Sequence, residues 1–118
     1  MPEGKFILDT DASNGSIGAA LSQIKDGQEV PIAFASNSMS KAQHNYCTTK
    51  RELLAVVVFT QKYRHFLYAG NFMLRTDHSA LQWLLNFKDV EGMMDRWLNH
   101  LSELGVTNEH IVHSPEWS

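Results

Sequence analysis

The chain has 118 residues, 43% of them hydrophobic, which suits one domain with a real core and excludes a disordered chain. The formal net charge of −3 excludes the strongly basic balance usual in a stand-alone nucleic-acid binder, but not a site where bound metal cations supply the positive charge. Cys47 is the one cysteine, so no intramolecular disulfide and no cysteine-pair zinc pattern can be written, and a reducing, intracellular setting is expected.

The opening MPEGKFILDTD has no basic segment leading into an apolar stretch, so no signal peptide is read. Phe6 to Asp11 alternates: Phe6, Leu8 and Thr10 point one way, Ile7, Asp9 and Asp11 the other, which is the period of a strand. Asn14-Gly15 is a hairpin-turn pair, and Ile17 to Gln23 is the return strand. Asp26-Gly27 marks a second turn before a third strand, Val30 to Ala35, where Pro31 suits an edge strand or a first residue. Ser36 to Thr49 reads as polar and turn-like. From Glu52 to about Leu67 there is no Gly or Pro, and the spacing fits a helix whose first half is apolar nearly all round and therefore buried. Val56-Val57-Val58 favours a strand on propensity alone, and length decides for the helix. The longest apolar run, Leu53 to Phe59, is far too short to cross a bilayer, so no membrane association is expected. Gly70 closes this helix, and Phe72 to Thr76 is a fourth strand. Ser79 to Phe87 reads as a short helix with Ser79 as N-cap, Met93 to Leu104 as another helix closed by Gly105, and Ile111-Val112 as the start of a short last strand. The order predicts an α/β fold over residues 1–118, a single domain in which a β1-β2-β3 meander, a fourth strand and a short fifth form a mixed sheet flanked by helices.

Three acids fall at informative places. Asp11 ends the first strand, Glu52 lies at the start of the long helix, and Asp77 follows the fourth strand. Two strand ends and a helix start can converge on one face of a sheet. Carboxylates so gathered repel one another unless cations intervene, and hard oxygen ligands suit Mg²⁺ or Mn²⁺. Two such ions can activate water and stabilise a leaving oxygen in phosphodiester cleavage. Each acid also has a structural reading. Thr49-Lys50-Arg51-Glu52 fits a capping box, Asp11 can start the Asn14-Gly15 turn, and Asp77 can cap the next helix.

Longer motifs weigh between these readings. FILDTDASNGSIGAALSQ, PIAFASNSMSKAQHNYCTTKRELLAVV, RHFLYAGNFMLRTDHSALQWLL and RWLNHL stand in order along the chain. Together they resemble the RNase H domain of gypsy-type LTR-retrotransposon (retrovirus-related) Pol polyproteins over about Phe6 to Leu104. The resemblance implies a ribonuclease H-like fold and metal-dependent cutting of the RNA strand of RNA–DNA hybrids. It implies two Mg²⁺ or Mn²⁺ ions on Asp11, Glu52 and Asp77 as both metal-holding and catalytic residues, and a reverse transcriptase domain upstream in the same polyprotein. Ser13, Asn14, Thr48, Thr49 and His78 are the candidate substrate contacts, with the threonines at a helix start facing the sugar-phosphate backbone. Asp9 matches no ligand and is expected to be an outer carboxylate or a polar core group. The implied setting is a cytoplasmic retrotransposon particle or the nucleus. The resemblance ends at NEHIVHSPEWS, where no residue matches the family's fourth carboxylate and last helix. An inactive truncated or domesticated transposon fragment is therefore the alternative reading.

Other features carry less. His110 and His113 are spaced like a metal pair, but no cysteine follows to complete a zinc site. Trp83 and Trp97 fit a core better than a base-stacking platform, and Lys50-Arg51 and Lys62 to His65 fit solvated helix faces. Ser13 to Gly18 is similar to phosphate-binding loops of actin-like ATPases, yet 118 residues lack the second half that such a nucleotide site needs.

Overall fold

The computed structural model describes residues 4–13, 15–68, 72–76, 93–104 and 111–113. Strands β1 (Phe6–Ala12), β2 (Ser16–Lys25) and β3 (Gln28–Ser38) lead into helices α1 (Lys41–His44), α2 (Thr48–Lys62) and α3 (Arg64–Tyr68). Then come β4 (Phe72–Thr76), α4 (Met93–Glu103) and β5 (Ile111–His113). The described strands form one sheet in the order β3-β2-β1-β4-β5. The first three pair antiparallel as a meander, and β4 runs parallel to both β1 and β5. The expected mixed α/β sheet is thus present, with its short fifth strand.

Local chemistry explains the elements. Asp26 and Gly27 both take positive φ, 52° and 75°, which lets a two-residue turn match the twist of the strands it joins. β3 runs past its predicted limits because its backbone stays paired with β2 from Gln28 to Ser38, however polar its side chains. Pro31 is accommodated because β3 is the edge strand and its register with β2 shifts there. Ser36 to Thr49, expected to be turn-like throughout, instead holds the end of β3, the one-turn α1 and the start of α2. The long helix begins earlier than expected, at Thr48, and breaks at Tyr63, where φ −104° and ψ 20° leave the helical region.

One face of the sheet is covered by α2, whose residues from Leu53 to Val57, with Phe59 and Thr60, are buried. Leu8, Ile17, Ala19 and Leu21 meet them from the strands, and Trp97 and Leu101 of α4 close the same core. Trp97 is therefore a core residue, as expected; Trp83 lies outside the described residues. Thr60 is fully buried, but its hydroxyl is satisfied: it reaches Val56 O at 2.6 Å and Val57 O at 3.1 Å. Its one proton serves those carbonyls, so it accepts from His100 Nε2 at 2.9 Å, which ties α4 to α2. The other face carries Ile7 and Ile24, both fully buried, beside the buried Asp9 and Ser22. At its edge, Phe34 of β3 pairs with Ala20 and is 75% exposed. Among the described residues no helix is long and apolar enough to cross a membrane.

Candidate active site at the ends of β1 and β4

β1 ends in Asp11 and Ala12, and Asp11 pairs with Gly18 of β2. Its side chain is exposed, and no described residue gives it a hydrogen bond or an ion pair. Such a carboxylate is free to take a cation. The turn that follows is held by Ser13: its N–H donates to Ser16 O at 2.8 Å, and its hydroxyl lies 3.2 Å from the same oxygen and 3.1 Å from Ser16 Oγ. Ser13, a candidate substrate contact, thus has its hydroxyl engaged within the turn. Asn14 lies outside the described residues.

Glu52 is half-buried and is the fifth residue of α2. The capping-box reading of this acid fails. Cys47, not Thr49, is the N-cap; no side chain caps the helix start; and the third helical residue is Lys50. The capping box of this region belongs to α1, where Ser40 Oγ accepts from Gln43 N at 3.2 Å and Gln43 Oε1 accepts from Ser40 N at 3.0 Å. The signal, Ser followed three residues later by Gln, was present in the sequence inside a stretch read as loop. Thr48 is exposed and Thr49 half-buried in the first turn of α2. Lys50 and Arg51 are not merely solvated. Lys50 Nζ sits 4.1 Å from the centre of the Tyr46 ring, and Arg51 Nη2 donates to His44 O at 2.7 Å, bracing the corner between α1 and α2. In the second basic group Tyr63 is buried, which raises its pKa.

Asp77 and His78 lie outside the described residues, as do the expected helix from Ser79 to Phe87, Gly70, Gly105 and His110. The convergence expected of the three acids needs one correction. Asp11 shares its side of β1 with Ile7 and Asp9, the side turned away from α2, whereas Leu8 and Ala12 pack toward the core that α2 covers. Asp11 and Glu52 therefore do not sit on one face of the sheet; any shared site lies beyond the strand ends. Among the described residues no group of three or more His, Cys, Asp or Glu side chains is arranged to hold a metal.

The sheet does provide a place beyond the strand ends. Parallel pairing of β1 with β4 runs through Phe6–Phe72, Ile7–Met73 and Leu8–Leu74 and stops at Asp9–Arg75. Past that rung β4 continues its pairing with β5, through Thr76–His113. The chain thus passes from β1 to β2 on one side and has β4 on the other, so β1 and β4 are parallel neighbours whose onward connections lead to opposite sides of the sheet. The carboxyl ends of strands at such a point are where open α/β sheets bind ligands.

Asp9 sits on the last described rung between β1 and β4. It is 6% exposed and receives both sides of the Arg75 guanidinium, Nε to Oδ1 at 2.6 Å and Nη2 to Oδ2 at 2.8 Å. The rest of the guanidinium reaches Glu29 of β3, Nη1 to Oε1 at 2.9 Å and Nη2 to Oε2 at 3.0 Å. These bonds, those to Asp9 foremost, raise the Arg75 pKa above its ordinary value. The sequence showed that Asp9 and Asp11 share a side, but nothing local in it pointed to Arg75 or Glu29.

A family model for the RNase H-like domain found in reverse transcriptase matches residues 1–104. The chain belongs to this family. The Pol polyprotein from transposon 297 of Drosophila melanogaster is 43% identical over 109 residues, spanning 92% of this chain and 10% of that polyprotein. The enzymatic polyprotein of carnation etched ring virus is 32% identical over 115 residues, 94% of this chain and 18% of its own length. This RNase H-like domain thus spans a tenth to a fifth of those relatives. Among solved structures, the foamy viral protease-reverse transcriptase in complex with dsDNA aligns at a TM-score of 0.69 with 18% identity, covering 97% of this chain and 24% of that one. Its complex with an RNA/DNA hybrid aligns at 0.61 with 17% identity, covering 94% and 15%. These likenesses show the RNase H-like fold.

Proposed function

We propose that this domain hydrolyses the RNA strand of RNA–DNA hybrids with divalent metal ions held by Asp11, Glu52 and Asp77, as the RNase H part of a reverse transcriptase polyprotein. The observation that carries the reading is Asp11: an exposed carboxylate without a described partner, at the carboxyl end of the strand that pairs parallel with β4, in a chain of this family. Glu52 is not part of the cap of α2, which removes the capping-box reading of that acid. The donor set fits Mg²⁺ or Mn²⁺, which favour carboxylate oxygens. Bound there, two such ions supply an activated water and charge stabilisation at the leaving oxygen.

The chain's own residues have separate tasks. Asp11 offers oxygens from the strand end, Glu52 from the helix side and Asp77 from just after β4. The exposed Thr48 and the N–H groups of the first turn of α2 are suited to the phosphate backbone. Ser13, Asn14, Thr49 and His78 are proposed to line the same path, with Ser13 acting by holding the turn through its bonds to Ser16. Reading the RNA 2′-hydroxyl gives hybrid selectivity. An upstream polymerase domain supplies most of the substrate affinity, which makes a mildly acidic domain adequate.

The test is cleavage of a labelled RNA–DNA hybrid across Mg²⁺ and Mn²⁺ series. Cleavage is expected with Mg²⁺ or Mn²⁺ and none without a divalent metal. Asp11→Asn and Asp77→Asn should each abolish it. A folded chain that cleaves in neither metal overturns the reading.

A further inference from the structure

The Asp9–Arg75–Glu29 array occupies the last rung of the β1–β4 ladder. From this rung the same two-residue step leads along the sequence from Asp9 to Asp11 and from Arg75 to Asp77. We propose that the array is a positioning clamp for the carboxylate site: it fixes the register of β1 against β4 near their carboxyl ends, and so sets how Asp11 is presented to a metal. The proposal rests on the metal-carboxylate reading given above.

Packing alone does not call for an ion pair here. The rung on the same side one pleat earlier, Ile7–Met73, is apolar, and a buried ion pair is seldom more stabilising than an apolar pair of similar volume. What the ion pair adds is direction. Among the described residues four rungs join β1 to β4. A slip of one residue is already forbidden, because it would turn every side chain of β4 to the other face, but a slip of two would keep the faces and only exchange apolar partners. The guanidinium forbids it, because it makes four hydrogen bonds to two carboxylates and is held in one plane from β4 to β3. The clamp has a second effect. Asp9 lies on the same side of β1 as Asp11, and Arg75 occupies both of its oxygens. The surplus carboxylate beside the site is thereby kept from competing for the cation.

The experiment measures Mn²⁺ binding to the full chain by electron paramagnetic resonance, with circular dichroism and melting temperature recorded on the same samples. Arg75→Lys keeps the charge and loses the planar fork. Asp9→Val/Arg75→Met removes the buried carboxylate together with its partner, and the carboxylate left over, Glu29, is exposed, so no buried unpaired charge is left to unfold the sheet. Both variants should bind Mn²⁺ about tenfold or more weakly, the range for groups that orient metal ligands. The double variant should melt no lower than the parent, so that affinity and stability part company, which a purely structural role does not allow. Wild-type affinity in either folded variant overturns the proposal, as does an affinity loss that tracks melting temperature across the variants. If the double variant does not fold, Arg75→Lys decides alone. A parent chain that binds no Mn²⁺, or binds it equally well as Asp11→Asn, overturns the clamp together with the site. Binding that depends on Asp11 without any hybrid cleavage overturns the cleavage reading only.

Discussion

Replacing Glu52 with Gln separates ligand from scaffold. The side chain sits at the fifth position of α2, beyond the four N–H groups that a helix start leaves unpaired, and the N-cap is Cys47. The dipole benefit of an acid fades beyond the first turn, and Gln matches Glu in shape. Glu52 is half-buried, and Gln keeps its hydrogen-bonding capacity while losing its charge, so the expected cost is up to about 1 kcal/mol, that of one ordinary polar interaction. For a domain of this size that is a melting shift of at most about 4 °C. Activity should behave otherwise. Groups that merely orient a metal ligand cost about 10–100-fold when removed, so loss of a direct ligand should exceed about 100-fold. The assay pairs thermal unfolding with initial rates of hybrid cleavage in saturating Mn²⁺. Combining Glu52→Gln with Asp11→Asn should add little further loss, because ligands of one metal site act as a unit. Activity within a few-fold of the parent would remove Glu52 from the site. A melting point lower by more than about 5 °C would show that the acid holds the fold instead.

Three further outcomes follow from the core and the turns. Thr10 is 1% exposed with a buried hydroxyl that finds no partner among the described residues, so Thr10→Val should stabilise the domain by about 1 kcal/mol in denaturant unfolding. Gly27 has φ 75° with nothing within 4 Å of an added Cβ, so Gly27→Ala should cost about 1 kcal/mol from backbone strain alone, read the same way. Burial lowers the His100 pKa from its ordinary 6.5; Arg64 pushes the same way and Glu103 opposes. The unfolded chain then binds the proton more readily, so the stability due to His100 is full above pH 6.5 and is lost as pH falls below it. The charged ring can still donate to Thr60, so the loss comes from desolvation and not from a broken bond. His100→Gln should flatten the acid side of the stability profile measured from pH 7 to 5.

Much of the fold was legible because its signals are local. β4 was read to the residue, and Asp26-Gly27 named the second turn from chemistry that only a turn rewards. The misjudged limits were those decided at a distance. β3 extends because β2 pairs with it, and α2 starts at Thr48, not at Glu52, because an unremarkable Cys47 serves as N-cap. The break at Tyr63 has no Gly or Pro to announce it; the ring is buried, and the helix restarts as α3 with Leu67 in the core.

The site shows the same division. Strand alternation set Asp9 and Asp11 on one side of β1, and nothing in that pattern could choose between two carboxylates one pleat apart. The choice is made by Arg75, 66 residues away, which occupies both oxygens of Asp9. Asp11 remains exposed at the end of β1, with no partner among the described residues. On the proposed reading, a cation approaching this edge meets one committed carboxylate and one available one. The side-chain pairing that commits Asp9 also crosses from β4 to β1 and β3, so one arginine bears on both the register and the electrostatics of the strand ends.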